Sequence, residues 1–192
     1  MSRGTLIDIT APLTNQTRVF PGDPPVRLRV ASTSPARVTG LSCSVHAATH
    51  ADAPCHVAGL SGGVETLPLE AFIGPACVHQ GHGVWTRADV ARLPQPLEPR
   101  LLLRGAPVLD LEAAAELLKL DIILVGTDGA SIEAADSDDL PVHRLLLQRG
   151  VALIEGLDLS AARPGRYELI ALPLLIPGSD GAPVRAVLRE SA

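Results

Sequence analysis

The sequence predicts an α/β domain built on a mixed β-sheet or an open barrel, with helices packed against it. Three observations carry this. Short apolar runs of strand length outnumber the stretches with helical periodicity. The two kinds of element alternate along the chain instead of segregating. Apolar residues make up 46% of 192 residues while aromatics make up only 2%, so one core of Leu, Val, Ile and Ala is expected across a single domain, residues 1–192.

Taken in order, Leu6 to Ile9 reads as a short strand. Thr10 to Pro25 is a loop rich in turn residues: Pro12, Pro21, Gly22, Pro24 and Pro25. Val26 to Ala31 alternates apolar with basic residues, as a half-buried strand does. Leu41 to Val45 leads as a strand into the histidine-rich run that follows. Gly59 to Gly63 is a loop, Leu67 to Phe72 one helical turn, and Ala76 to His79 a short strand. Arg87 to Leu93 has the pattern of a short helix, and the prolines at 94, 96 and 99 precede the apolar strand Leu101–Leu103. Asp110 to Leu118 is a helix with Asp110 as N-cap and Leu111, Ala114, Ala115, Leu117 and Leu118 on one face. Asp121 to Val125 is a buried strand ended by Gly126-Thr127-Asp128-Gly129. Pro141 to Gln148 is a helix with proline in its first turn and Gly150 as its stop. Val151 to Ile154 is a buried strand that runs into Glu155. Glu168 to Leu174 and Val184 to Leu188 are the last strands, with Gly178 to Ala182 as the turn between them.

Composition narrows the function classes. The net charge of -5 and the lack of a long basic run argue against a nucleic-acid partner. No stretch reaches the ~18 apolar residues of a membrane span, and Met1 to Asp8 holds no apolar signal segment. Cys43, Cys55 and Cys77 are odd in number and form no C-x-x-C pair, so a reducing, cytoplasmic setting is expected.

The chemistry is concentrated in His46-Ala47-Ala48-Thr49-His50-Ala51-Asp52-Ala53-Pro54-Cys55-His56, which holds three of the six histidines and one carboxylate. Imidazole and carboxylate are ligands for zinc, manganese and similar divalent ions, and no thiolate cage closes the set off. In a straight strand the Cα atoms of His46 and Asp52 would lie ~20 Å apart, too far for ligands at ~2 Å from one ion. In a regular helix, at ~100° per residue, Asp52 would point away from His46 and His50. Pro54 also disfavours a helix. The run must therefore curl, and its alanines leave room for that. Cys55 falls out of step with the His/Asp set. Asp128 suits either a turn or support of a ligand, and His79-x2-His82 reads as a turn beside Gly81 and Gly83.

Two residues downstream stand out. His143 follows Pro141 at a helix start; alone, it reads as a solvent-facing residue. Glu155 ends an apolar strand, and a carboxylate there needs a partner, whether a metal or a base such as Arg163.

The chain resembles the bacterial kynurenine formamidases, arylformamidases of the cyclase family of metal-dependent hydrolases. That family carries His-x-Gly-Thr-His-x-Asp-x-Pro-x-His, matched from His46 to His56 with Ala48 in place of Gly. Phe20-Pro21-Gly22-Asp23 looks like the family's aromatic-Pro-Gly-Asp segment, with Phe for the more usual Trp. The stretches Asp139 to His143, Glu155 to Asp158, Tyr167 to Leu169 and Pro183 to Ala186 look closest to the formamidase branch. The resemblance implies a swivelling β/β/α-like fold, a homodimer and two divalent ions per subunit, zinc with manganese as the alternative. It implies that His46, His50 and Asp52 bind the first metal, and that Asp52, His143 and Glu155 bind the second. His56 would be the catalytic acid/base and Phe20 a substrate contact. The implied reaction is hydrolysis of N-formyl-kynurenine, a small-molecule substrate, to kynurenine and formate by metal-activated water. Opening of a cyclic amide such as isatin is the runner-up. A non-catalytic metal-binding protein and a Cys-His thiol enzyme using Cys55 or Cys43 are rivals from other classes.

Overall fold

The structure, a computed structural model, describes residues 4–137 and 139–190, so the start of the N-terminal segment, Met1 to Arg3, lies outside the described residues. The strands are β1 (Leu6–Asp8), β2 (Arg27–Ser32), β3 (Val38–Ser42), β4 (His50–Asp52), β5 (Ile73–Gln80), β6 (Val84–Trp85), β7 (Arg100–Arg104), β8 (Val108–Leu109), β9 (Leu124–Thr127), β10 (Ala152–Glu155), β11 (Gly165–Ile170), β12 (Gly181–Pro183) and β13 (Val187–Glu190). The helices are α1 (Arg87–Ala91), α2 (Leu111–Leu117) and α3 (Pro141–Gln148), with 3₁₀ turns at Pro54–His56, Val64–Thr66 and Leu69–Phe72.

Nine strands form one sheet in the order β1-β13-β11-β5-β7-β9-β10-β4-β12. The four central strands β5, β7, β9 and β10 are parallel, and the pairs on either side are antiparallel. This is the mixed sheet that the apolar runs predict. Leu101, Leu102, Leu103, Leu124, Val125, Leu153 and Ile154 are all buried, because helices cover one face and other parts of the chain the opposite one. Leu101, Leu103, Val125 and Leu153 pack against α1, α2 and α3 through Val90, Ala113, Leu117, Val142 and Leu146. Leu102, Leu124 and Ile154 join Ile9, Phe72, Leu169 and Leu188 in a second core. Truncating Leu102 to alanine would cost about 2–5 kcal/mol at such a site.

Several elements differ from the sequence expectation. Asp121 adopts a left-handed φ of 51° behind α2, so β9 begins three residues later and takes in Gly126 and Thr127. The expected half-buried strand from Val26 becomes β2, paired among the described residues only with β3 and largely exposed; Val26 itself is buried. The strand before the histidine run ends at Ser42, leaving a longer curl ahead of β4. Near the C-terminus β11 ends at Ile170, and the exposed stretch that follows, with prolines at 173 and 177, keeps only an isolated antiparallel bridge from Pro173 to Val184. The expected turn Gly178–Ala182 contributes Gly181 and Ala182 to β12, and β13 starts at Val187. The two-residue strands β6 and β8 are too short to leave a sequence signature. Among the described residues no helix is long and apolar enough to cross a membrane.

Candidate metal centre

Strand β4 lies between β10 and β12, and its register assembles the centre. Glu155 stands opposite His50, and Leu153 opposite Asp52. On the other side Gly181 stands opposite Asp52 and Pro183 opposite His50. Directly opposed residues share a face, so His50, Asp52 and Glu155 project together on the helix side of the sheet. Ala51 and Ile154 project the other way into the core.

The curl ahead of β4 adds His46. Its Nδ1 lies 3.0 Å from Asp52 Oδ1, and His50 Nε2 lies 3.4 Å from the same oxygen. Gly181 makes this possible, since a Cβ there would sit 2.8 Å from His46 Cε1. Helix α3 brings His143, whose Nε2 is 3.0 Å from Glu155 Oε1 and 3.7 Å from Asp52 Oδ2. His143 is buried, not solvent-facing, because it sits in the first turn of α3, whose N-terminal end lies over the site. Glu155 is held by His143 and by the Ile132 N–H at 2.7 Å, so the alternative partner Arg163 is not used. The 3₁₀ turn Pro54–His56 carries His56, whose ring centroid lies 4.2 Å from that of His46 and 6.0 Å from that of His143.

Two triads have ligand atoms close enough for one ion each: His46, His50 and Asp52, and Asp52, His143 and Glu155. Asp52 belongs to both. Its Oδ2 is the buried side-chain polar atom with no hydrogen-bond partner among the described residues. An unsatisfied buried carboxylate oxygen is costly unless a cation occupies the position it faces. The all-N/O donor set fits zinc or manganese. A third group, His46, His56 and Asp180, is more open.

Phe20 is 55% exposed and belongs to none of these groups. Its turn is tied to the centre through Asp23, which accepts from the Ser44 hydroxyl at 2.8 Å; that hydroxyl accepts from the His46 N–H at 3.2 Å. Cys55 directs its thiol at the Ser179 carbonyl, 3.8 Å away, and the three cysteines are free. Asp128 accepts from the Gly105 and Ala106 N–H groups and so holds a loop. His82 contacts Gln80 and, like His79, lies outside the ligand groups.

Two residues here escape sequence reasoning. Asp180 Oδ2 lies 3.1 Å from His46 Nε2, and Glu133 Oε2 lies 2.8 Å from His143 Nδ1. Asp180 is 134 residues from His46, inside a segment that reads as a plain turn. Glu133 sits in a loop with no periodicity. No local spacing could have found either.

Ala48 stands at φ 59°, the left-handed region. Its carbonyl accepts from His50 Nδ1 at 2.9 Å, so the strained residue also orients a histidine. Gly156, at φ +64°, packs against that carbonyl; a Cβ there would sit 2.3 Å from the oxygen. An L-residue with a Cβ in this region costs about 1–2 kcal/mol, partly offset by glycine's larger unfolded-state entropy. Ala48→Gly is therefore expected to stabilise the protein by about 0.5–1 kcal/mol, read as a rise in the urea midpoint at unchanged slope. A lowered midpoint would contradict the strain.

The electrostatics describe a centre that holds protons when it holds no metal. Burial disfavours the His46 cation, but hydrogen bonds to Asp52 and Asp180 outweigh it and push the pKa up to about 9. Burial likewise opposes protonation of His143, and Glu133 and Glu155 push it up to about 10. Burial acts against Asp52 ionisation too, yet His46 and His50 hold its carboxyl well below the usual range. His56 goes the other way: burial, helped by the His46 and His143 charges, lowers it despite Asp52 and Asp180. For His46 and His143 the folded pKa lies above the unfolded value of about 6.5. Their contribution to stability is then complete below about pH 6.5 and is lost as pH rises through 9 to 10. The thermal midpoint of metal-free protein is expected to fall across that window, and that of zinc-loaded protein to change less. A metal-free midpoint that rises from pH 6.5 to 10 would contradict this reading.

The family model named Cyclase matches residues 7–134. The chain belongs to the cyclase family. The kynurenine formamidase of Salinibacter ruber is 38% identical to this cyclase-family chain over 207 residues, covering 97% of it and 98% of the relative. A solved structure described as a potential metal-dependent hydrolase with cyclase activity matches with a TM-score of 0.84 at 30% identity, covering 97% of this chain and 99% of the other. Isatin hydrolase A from Labrenzia aggregata, bound to benzyl benzoate, shares the fold with a TM-score of 0.84 at 23% identity, covering 98% and 94%.

Proposed function

We propose that this cyclase-family protein is a hydrolase that converts N-formyl-L-kynurenine to L-kynurenine and formate, using two divalent metal ions per chain. The observation that carries the reading is the placement of Asp52, with its unpartnered Oδ2, between His46 and His50 on one side and His143 and Glu155 on the other. The likeness to kynurenine formamidases over nearly the whole chain supports the substrate.

In this reading His46, His50 and Asp52 hold the first ion, and Asp52, His143 and Glu155 the second. An ion held there would acidify a water, zinc to a pKa of about 7, and would offset negative charge developing on a carbonyl oxygen. The remaining work falls to the chain. His56, kept neutral by its surroundings, accepts a proton from the attacking water as oxygen bonds to the formyl carbon. The same ring then gives that proton to the aniline nitrogen as the C–N bond breaks. Asp180, 3.7 Å from His56 Nδ1, helps to orient the ring. Phe20 offers an apolar face to the substrate's aromatic ring but no indole N–H. A homodimer and a cytoplasmic setting complete the reading; the exposed Leu174 and Leu175 and the free cysteines agree with them.

Opening of a cyclic amide such as isatin needs the same attack on a carbonyl, so the test compares the two. Metal-loaded protein is expected to turn over N-formyl-kynurenine with the larger kcat/KM. A larger kcat/KM for isatin would replace the substrate assignment while leaving the chemistry intact.

A further inference from the structure

Helix α3 has no cap of its own. Its N-cap residue, Leu140, is left-handed at φ 46° and has no side-chain acceptor. The acceptor comes from outside the helix. Glu133, 4% exposed, takes the Val142 N–H on Oε1 at 3.2 Å and the His143 N–H on Oε2 at 3.3 Å. The Ser137 hydroxyl donates to Oε1 at 2.8 Å, and His143 Nδ1 lies 2.8 Å from Oε2. One buried carboxylate therefore fixes both the first turn of α3 and the imidazole it carries. A carboxylate only accepts hydrogen bonds, so His143 Nδ1–H donates to Glu133, and without metal Nε2–H donates to Glu155 in the same way; with an ion bound, the proton on Nδ1 would stay and the Nε2 lone pair would be left for the ion.

We propose that Glu133 is a positioning residue for one metal only: it sets the tautomer and orientation of His143, and so governs the affinity of the Asp52–His143–Glu155 position and not that of the His46–His50–Asp52 position. The inference rests on the two-metal reading above. Partners of this kind, behind a metal-bound histidine, typically change metal affinity ten- to a hundredfold. A capping role alone would touch the fold without distinguishing the two positions.

Glu133→Gln keeps the shape but offers one acceptor oxygen to donors that now share two. Zinc titration of the wild type and of this variant against a chromophoric chelator reads the number and affinity of equivalents. The expected result is two equivalents in the wild type, and in the variant one unchanged and one weakened about ten- to a hundredfold. Two equivalents of wild-type affinity in the variant would overturn the proposal, even if its metal-free melting point fell. No bound zinc in the wild type would instead remove the two-metal reading itself. A measurement on the wild type decides the matter if the variant does not fold. In zinc-loaded protein with ¹⁵N-labelled histidine, long-range ¹H–¹⁵N correlation is expected to place the His143 proton on Nδ1. A proton on Nε2 would overturn the assignment.

Discussion

Asp52→Asn is expected to strip the centre of metal and to lower turnover by about a thousandfold or more, since the lost metal chemistry is worth several kcal/mol. Asp52 is the one side chain common to both candidate triads. Its Oδ1 faces His46 and His50, and its Oδ2 lies 3.7 Å from His143 Nε2. Asparagine keeps one oxygen and replaces the other with an NH₂ group, which has no lone pair for an ion. One position keeps only a neutral amide oxygen, and the other meets an NH₂ donor where its carboxylate oxygen was. The variant is nevertheless expected to fold. Without the Asp52 charge, His46 and His50 lose a main cause of their raised pKa values, while Asp180 and Glu155 still face them, so neither ring is left as an unpaired buried cation. Metal content per chain, kcat and circular dichroism together check this. A folded variant holding two equivalents with near-normal kcat would contradict it.

His56→Ala is expected to do the opposite to metal content. Both equivalents stay, KM changes little, and kcat falls about a hundred- to ten-thousandfold, the range for loss of a general acid–base group. The distinction follows from position. His56 lies outside both triads that contain Asp52, and its side chain is 26% exposed, accessible to substrate while the other three rings are more buried. Its neutral form suits a group that must first accept a proton. Full activity in this variant would remove His56 from the mechanism. Loss of one metal equivalent would make it a ligand through the His46–His56–Asp180 group instead.

Much of this centre is legible in the sequence because its first half is local. His46, His50, Asp52 and His56 lie within one turn, one short strand and one 3₁₀ turn, and their types and spacing rule out a straight element. His143 and Glu155 enter the set only through the family resemblance, since His143 alone reads as solvent-facing and Glu155 alone leaves its partner open; the β10–β4 register shows that Glu155 faces His50. Glu133 and Asp180 leave no trace, since their meaning depends on contacts across a loop and across the whole chain. The same division holds for the fold. The buried parallel strands announce themselves as continuous apolar runs, whereas β12 does not, being three residues supplied by a glycine-rich turn. Ala48 shows the limit from the other side. Its residue type permits many backbone paths, and only the structure shows the left-handed one that a glycine would take with less strain.

Metal-dependent deformylation at this centre is open to a direct test. The most direct measurement is N-formyl-kynurenine hydrolysis by purified protein before and after chelation, with zinc or manganese added back. The expected result is turnover that chelation abolishes and metal restores. Turnover that survives complete removal of metal, or none in folded protein carrying two equivalents, would contradict it.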